Sequence, residues 1–179
     1  WFDARRKALQ ALADQRAPGY VNQISCRRCD GDDAVMLVRS FSDRDPGRQE
    51  LYFAKDKRWQ LLSQVRPGID PRRMATLDFH RTQARDGRDL PLWLTLPAGA
   101  KAGERRPAVV LVHGGPWVRG GEWRWNGMTQ FLASRGYVVI EPEFRGSRGY
   151  GSAHLQAGVR QWGLAMQDDV ADAALWAVK

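Results

Sequence analysis

Two short aliphatic runs, separated by a segment with helical periodicity, limit most strongly what this chain can fold into. The first run, AVVLV, covers Ala108 to Val112, and the second, YVVIEPEF, covers Tyr137 to Phe144. Apolar runs of this length without polar alternation are typical of parallel strands that are covered on both faces. The sequence therefore predicts two buried strands joined by a crossover connection.

The segments that follow these runs are both predicted to be helices. WNGMTQFLASRGY places Met128, Phe131 and Leu132 on one helical face, and Gly136 is the expected stop. Because strands and helices alternate here, we expect an α/β sheet with crossover helices. The last segment, GLAMQDDVADAALWAVK, is amphipathic, and its expected apolar face comprises Met166, Val170 and Ala174, with Ala171, Leu175 and Val178 beside them.

The first part of the chain follows a different pattern. A helix is expected from Asp3 to Gln15, and short β-like runs follow at Ala34–Phe41, Glu50–Ala54 and Arg58–Ser63. Strands this closely spaced indicate an antiparallel meander, as in one blade of a β-propeller. The two prolines between Gln64 and Arg73 indicate a linker.

After the linker, LDFHRTQARDGRDLPLWLTLP is predicted to form two strands around a turn at Asp86–Gly87. The polar segment that follows, PAGAKAGERRP, is predicted to be an exposed loop.

The composition of the chain limits the kinds of partner that it is expected to bind. The 179 residues carry a net charge of +8, but arginine is scattered through every segment and no nucleic-acid-binding motif accompanies it. No apolar run approaches the roughly 20 residues that span a bilayer. We therefore expect neither a nucleic-acid partner nor a membrane span. The only cysteines, Cys26 and Cys29, precede a turn, and we expect incidental thiols, with a local disulfide as the second interpretation.

The motif HGGPW directly follows the first aliphatic run. Gly114 and Gly115 lack Cβ, so their backbone N–H groups can approach a ligand and stabilise a developing oxyanion. A tight turn that merely requires glycine is the alternative, and both stay open on this motif alone. His113 is expected to pack and hydrogen-bond within the loop rather than act as a base or metal ligand.

A nucleophile is not found in these residues. A serine hydrolase of an α/β fold needs a G-x-S-x-G elbow, and none of the seven serines has glycine both two positions before and two positions after it. The catalytic residues are therefore expected to be absent from this chain.

Three segments together, HGGPW, LASRGYVVIEPEFRGSRGYGSAH and WGLAMQDDVADAALW, resemble the prolyl oligopeptidase family of serine peptidases. The similarity is greatest to its acylaminoacyl-peptidase and dipeptidyl-aminopeptidase branch. The resemblance implies an α/β-hydrolase fold, of which this chain holds the N-terminal half, preceded by the antiparallel strands of the last blade of a β-propeller. It implies domain limits of 1–72 for the propeller part and 73–179 for the peptidase part.

The resemblance also implies roles for individual residues. The loop from His113 to Gly115 would supply one backbone donor of an oxyanion hole, while Trp117, Arg145 and Tyr150 would line or brace the pocket. Glu143 stands where the family usually has asparagine, and either an ion pair with Arg145 or an altered substrate preference is expected from it. Three further residues, Trp162, Asp168 and Asp169, match a motif that we interpret as structural.

The resemblance implies a serine-type peptidase that hydrolyses short peptides through an acyl-enzyme, with no cofactor and no metal. The chain resembles the middle of such an enzyme, so it is expected to be inactive alone, and its partners are a peptide substrate and the remainder of the same polypeptide. An esterase of the same fold and a non-catalytic binding domain are the alternatives. A homo-oligomer and the cellular compartment are left open.

Overall fold

The computed structural model describes residues 3–27, 29–101 and 103–178. They form two compact units, one up to Arg72 and one from Arg73 onward. None of the helices in these ranges is long and apolar enough to cross a membrane. Ala102 of the predicted loop and Lys179 of the predicted last helix lie outside the described residues.

The N-terminal unit is one helix and a four-stranded antiparallel sheet in which each strand pairs with the next one along the chain. Asp3 caps the helix, because its side chain accepts a hydrogen bond from the backbone N–H of Arg6 at 2.7 Å. Ala13 of the helix is buried against Met36 of the sheet. The elements are α1 (Ala4–Arg16), β1 (Val21–Arg27), β2 (Val35–Phe41), β3 (Arg48–Phe53) and β4 (Arg58–Gln64).

The predicted helix and the three predicted strands of this unit are confirmed within two residues. The sequence prediction missed β1, whose polar residues interrupt any clear alternation. The expectation of incidental thiols at Cys26 and Cys29 is wrong, because the two residues form a disulfide with a Cα–Cα distance of 5.5 Å. The turn after β1 brings Cys29 back toward the strand end, within the range that a disulfide can bridge.

The elements of the C-terminal unit are β5 (Thr76–Gln83), β6 (Asp89–Leu96), β7 (Ala108–Val110), α2 (Gly127–Ser134), β8 (Val138–Pro142), α3 (Ser152–Gln156) and α4 (Ala165–Ala177). The strands form a mixed sheet in the order β5-β6-β8-β7, and α3 and α4 follow the last strand along the chain. Strands β7 and β8 are parallel and α2 connects them, whereas β6 pairs with both β5 and β8 in antiparallel register. Leu90, Leu92, Ile140 and Ala173 form its buried core.

The first aliphatic run is less enclosed than predicted. Strand β7 ends at Val110 and lies at one edge of the described sheet, so Val112 is 47% exposed. The second run is confirmed as a buried strand, since Val139 and Ile140 are at most 1% exposed.

The predicted buried face of α2 is wrong. Met128 and Phe131 are 62% and 58% exposed, whereas Thr129, Gln130 and Ala133 are buried. The side-chain amide of Gln130 accepts from the backbone N–H of Ala75 and donates to its carbonyl, both at 2.9 Å. These two hydrogen bonds turn a polar side chain inward and therefore rotate the apolar residues outward.

The buried face of α4 also differs from the predicted one. Met166, Asp169 and Ala173 are its buried residues, while Leu175 and Val178 are exposed. Asp169 takes a central position on this face because its carboxylate pairs with a buried arginine, as described below. The hydrophobic pattern alone cannot reveal such a polar anchor.

Candidate functional site

A cavity of about 370 Å³ lies beside the loop that follows β7. Because β7 and β8 are parallel, their carboxyl ends lie at the same edge of the sheet, where α/β folds place their sites. The loop and the start of α4 form the walls. The lining residues are Val112, His113, Gly114, Gly115, Pro116, Phe144, Trp162, Gly163, Met166, Gln167 and Val170.

Gly114 and Gly115 place unpaired backbone amides in the wall of this cavity. Within residues 3–27, 29–101 and 103–178, no group accepts a hydrogen bond from either N–H. Gly115 has φ +125°, and a Cβ there would lie 2.9 Å from Cγ2 of Val118. This position therefore requires glycine, and the peptide bond to Pro116 is cis.

His113 holds the loop in place with both ring nitrogens. Nδ1 lies 2.9 Å from the carbonyl oxygen of Gly114, and Nε2 lies 2.9 Å from Oγ of Ser147. The ring stacks on Phe144 with a centroid distance of 4.4 Å. A packing role was the expected one, and the engaged nitrogens agree with it. In the described part of the chain, no three His, Cys, Asp or Glu side chains are grouped to hold a metal ion.

Glu143 is a buried carboxylate that faces the far end of the same loop. It is 1% exposed, its Oε2 accepts the N–H of Gly120 at 3.1 Å, and its Oε1 accepts the N–H of Gly121. Oε2 also lies 3.7 Å from Nε2 of His113. Of the two alternatives expected for Glu143, the ion pair with Arg145 is not formed, because backbone amides satisfy this carboxylate and Arg145 has other partners. The altered substrate preference stays a prediction.

Arg145 ties three segments of the unit together. Its Nε and Nη2 donate to the carboxylate of Asp169 at 2.8 and 2.6 Å, and its Nη1 donates to Oδ2 of Asp86 at 2.8 Å. The hydrogen bonds to Asp169 raise the pKa of the guanidinium further above its usual range. Arg145 is 6% exposed and does not line the cavity, so its position is that of a brace.

Trp117 and Tyr150 also lie beside the cavity rather than in its wall. Trp117 covers Gly146, where a Cβ would come within 2.9 Å of its ring. Tyr150 stacks on Phe79 with parallel rings and centroids 6.2 Å apart. Burial, together with the charge of Glu143, raises the pKa of Tyr150 to about 12, so its hydroxyl stays protonated at neutral pH.

Trp162 differs from its expected structural role. It is 65% exposed and lines the cavity, whereas Asp168 pairs with Arg85 at 3.0 Å on the surface and Asp169 is the buried anchor. The interpretation of the motif as structural is therefore confirmed for Asp169 and wrong for Trp162. Neither the anchoring role of Glu143 nor that of Ser147 was predicted, since only the folded chain brings them to the loop.

A smaller cavity of about 220 Å³ lies on the other side of His113. Glu141 and Glu143 both line it, together with Asn126. Burial, with the neighbouring charge of Glu143, raises the pKa of Glu141 to about 7. This carboxyl group therefore changes its charge near neutral pH.

The chain is similar in sequence to known proteins. A sequence model of the prolyl oligopeptidase family matches residues 123–179. The chain is 45% identical over 138 residues to dipeptidyl aminopeptidase BIII of Pseudoxanthomonas mexicana, a match that covers 72% of this chain and 20% of that protein. It is 32% identical to dipeptidyl peptidase family member 6 of Caenorhabditis elegans, over 95% of this chain and 25% of that protein.

Among solved structures, the chain is similar to a puromycin-hydrolyzing peptidase of Mycobacterium tuberculosis. The TM-score is 0.68 at 26% identity, and the match covers 80% of this chain and 23% of that one. The fold is thus the N-terminal half of an α/β-hydrolase fold, preceded by antiparallel strands of a propeller blade. The chain spans about a quarter or less of the length of the relatives it matches.

Proposed function

The chain belongs to the prolyl oligopeptidase family, and from this membership we propose that it is part of a serine peptidase that hydrolyses short peptides through an acyl-enzyme. One observation carries the proposal: the unpaired N–H groups of Gly114 and Gly115 line a cavity at the carboxyl end of a parallel strand. When a carbonyl is attacked there, negative charge develops on its oxygen. Backbone donors held in place beforehand stabilise that charge more than they stabilise the ground state.

We propose that the chain contributes to two domains of the complete protein. Residues 1–72 form the C-terminal part of a propeller domain, and residues 73–179 form the N-terminal part of the peptidase domain. The four-stranded antiparallel sheet with its own core supports the first assignment, and the parallel β7-α2-β8 crossover supports the second.

The proposed site residues have distinct roles. The loop from His113 to Gly115 supplies a donor of the oxyanion hole, and Trp117, Arg145 and Tyr150 brace the walls around it. The catalytic serine, aspartate and histidine come from the remainder of the polypeptide, since none of the serines here lies in a G-x-S-x-G elbow. The chain alone is therefore inactive.

The substrates proposed are short peptides and aminoacyl amides. Two relatives are named as dipeptidyl peptidases, and the similar solved structure is of a puromycin-hydrolyzing peptidase. These names support cleavage near the amino terminus of small substrates.

The test compares the complete protein that contains these residues with the isolated 179-residue chain. Both are assayed with aminoacyl and dipeptidyl p-nitroanilides, with p-nitrophenyl esters, and for labelling by a fluorophosphonate. We expect labelling and amide hydrolysis by the complete protein only. Ester hydrolysis without amide hydrolysis would indicate an esterase, and a complete protein that is neither labelled nor active would indicate a binding domain. Turnover by the isolated chain would contradict the assignment of the catalytic residues.

A further inference from the structure

The segment from His113 to Gly121 closes on itself. At its start, the His113 ring lies directly against the backbone of Gly120, where an added Cβ would collide with the ring. At its end, Gly121 packs against Trp93 of β6, where a Cβ would collide with the indole. Between these points, the carbonyl oxygen of Val118 accepts the N–H of Arg148 at 3.1 Å. The two ends of the segment therefore determine each other's positions.

The carboxylate of Glu143 holds the far end of this closed segment. It follows β8 directly, is 1% exposed, and uses both oxygens to accept the adjacent N–H groups of Gly120 and Gly121. A carboxylate suits this position because both of its oxygens are acceptors, whereas an amide would offer one acceptor and one NH₂ group. Hydrogen bonds to an ionised acceptor are also shorter and stronger than neutral ones.

His113 transmits this restraint to the glycine amides. A backbone carbonyl can only accept, so Nδ1 of His113 carries the proton that is donated to the Gly114 oxygen, and in the neutral imidazole Nε2 accepts the Ser147 hydroxyl proton. In a trans peptide the C=O and the following N–H point in opposite directions. Because the Gly114 carbonyl faces the imidazole, the N–H of Gly115 points away from it.

From this geometry we propose that Glu143 is a positioning residue for the oxyanion loop. It holds Gly120 and Gly121, the backbone of Gly120 confines the His113 ring, and the ring sets the orientation of the peptide that carries the Gly115 N–H. The inference rests on the proposed function of that N–H. It adds a residue that touches neither substrate nor nucleophile but determines how well the transition state is stabilised.

The test uses the complete protein and the substitution Glu143→Gln, with Glu141→Gln as the matched control. Glu141 lies two residues earlier at the same strand end, and within the described residues no hydrogen bond joins its side chain to the loop. Loss of an aligned oxyanion donor typically lowers kcat by about 100- to 1,000-fold, and we expect a partial loss of about 10- to 100-fold for Glu143→Gln. KM should change little, because the ground-state carbonyl depends less on this donor.

A second readout separates positioning from a general structural defect. Affinity for a peptide boronate, which forms a tetrahedral adduct with the nucleophile, should fall in parallel with kcat, while affinity for a substrate-like amide inhibitor should not. Glu141→Gln should change neither. A rise in KM with unchanged kcat would overturn the inference.

Two further outcomes are distinguishable. If circular dichroism shows that Glu143→Gln does not fold, Ser147→Ala is tested instead. This substitution removes the hydroxyl from Nε2 of His113 and leaves Glu143 in place. An unchanged kcat of the Ser147→Ala variant would then overturn the inference. If the wild-type protein is neither labelled by a fluorophosphonate nor active, the proposed function itself fails. If the wild-type protein is active and neither Glu143→Gln nor Ser147→Ala changes kcat, only the role of Glu143 is rejected.

Discussion

At the scale of single residues, Gly115 is the position where backbone conformation and chemistry coincide. Its φ of +125° and its closeness to Val118 exclude a side chain, and its N–H is unpaired in the part of the chain that the structure describes. We expect Gly115→Ala to lower kcat of the complete protein by about 100-fold, because the strained loop misplaces an oxyanion donor. Steady-state kinetics on a dipeptidyl p-nitroanilide measures this.

Gly99→Ala is the control for backbone strain. Gly99 also has positive φ, at +78°, but lies in the loop after β6 with open space around it. The substitution Gly99→Ala should lower the free energy of unfolding by about 1 kcal/mol without changing kcat. Equal kinetic effects of the two substitutions would contradict a specific role of Gly115.

Glu141 should make stability depend on pH. Burial raises its pKa from 4.5 to about 7, so the folded state binds the proton more tightly than the unfolded state. Its contribution to stability is therefore complete below pH 4.5 and is lost as pH rises through 7, by up to about 3 kcal/mol. Glu141→Gln should stabilise the protein at pH 8 relative to wild type, and much less so at pH 5.

Urea unfolding of the complete protein at both pH values measures the effect of Glu141→Gln. The exposed Glu122→Gln should show no comparable difference between the two pH values. A Glu141→Gln variant whose stability follows that of wild type at both pH values would show that this half-buried carboxyl has no raised pKa.

The sequence could predict the glycine loop, because HGGPW follows a run of strand-forming residues. It could not predict that Glu143 holds Gly120 and Gly121. Those residues lie more than 20 positions away in the chain, and no periodicity connects them. Only the return of β8 beside β7 brings them together.

At the scale of elements, the buried ion pair between Arg145 and Asp169 determines how α4 sits on the sheet. Asp169→Asn keeps the shape of the side chain and leaves a buried guanidinium without its main counter-charge. We expect a loss of about 3 kcal/mol in the free energy of unfolding, the range found when one partner of a buried pair is removed. Asp89→Asn, which breaks an ion pair whose two side chains are more than half exposed, is the control.

Denaturant titration of both variants in the complete protein tests this difference. A loss for Asp169→Asn no greater than that for Asp89→Asn would mean that α4 is held by its apolar contacts alone. The ion pair between Arg145 and Asp169 also explains why the predicted buried face of α4 was wrong. For α2, the hydrogen bonds of Gln130 explain the corresponding error. Hydrophobic periodicity locates both helices correctly, but their rotation follows from polar side chains that the fold buries.

At the scale of the whole molecule, the chain comprises two units with separate cores, and its one disulfide lies in the first. Replacing Cys26 and Cys29 by serine should lower the stability of the N-terminal unit by about 1–2 kcal/mol, the effect expected for closing so short a loop. The C-terminal unit should be unaffected. Hydrogen exchange measured by mass spectrometry on peptides from each unit distinguishes the two, and equal changes in both would contradict independent cores.

The sequence could predict a change of architecture along the chain, because the spacing of the strands changes after the prolines near residue 70. It could predict only part of the four-stranded sheet. Strand β1 pairs with β2 along its whole length, but it has too many polar residues for the sequence to reveal it, and its pairing becomes apparent only in the assembled sheet.

Arg145 also has a consequence for the order of events on the ribosome. Asp86 leaves the exit tunnel 59 residues before Arg145, and Asp169 leaves 24 residues after it. A nascent chain that has not yet reached Asp169 would have to enclose a cation that lacks its main partner, which is unfavourable. The sheet of the C-terminal unit is therefore expected to stay open during translation, and sensitive to protease, until α4 has emerged.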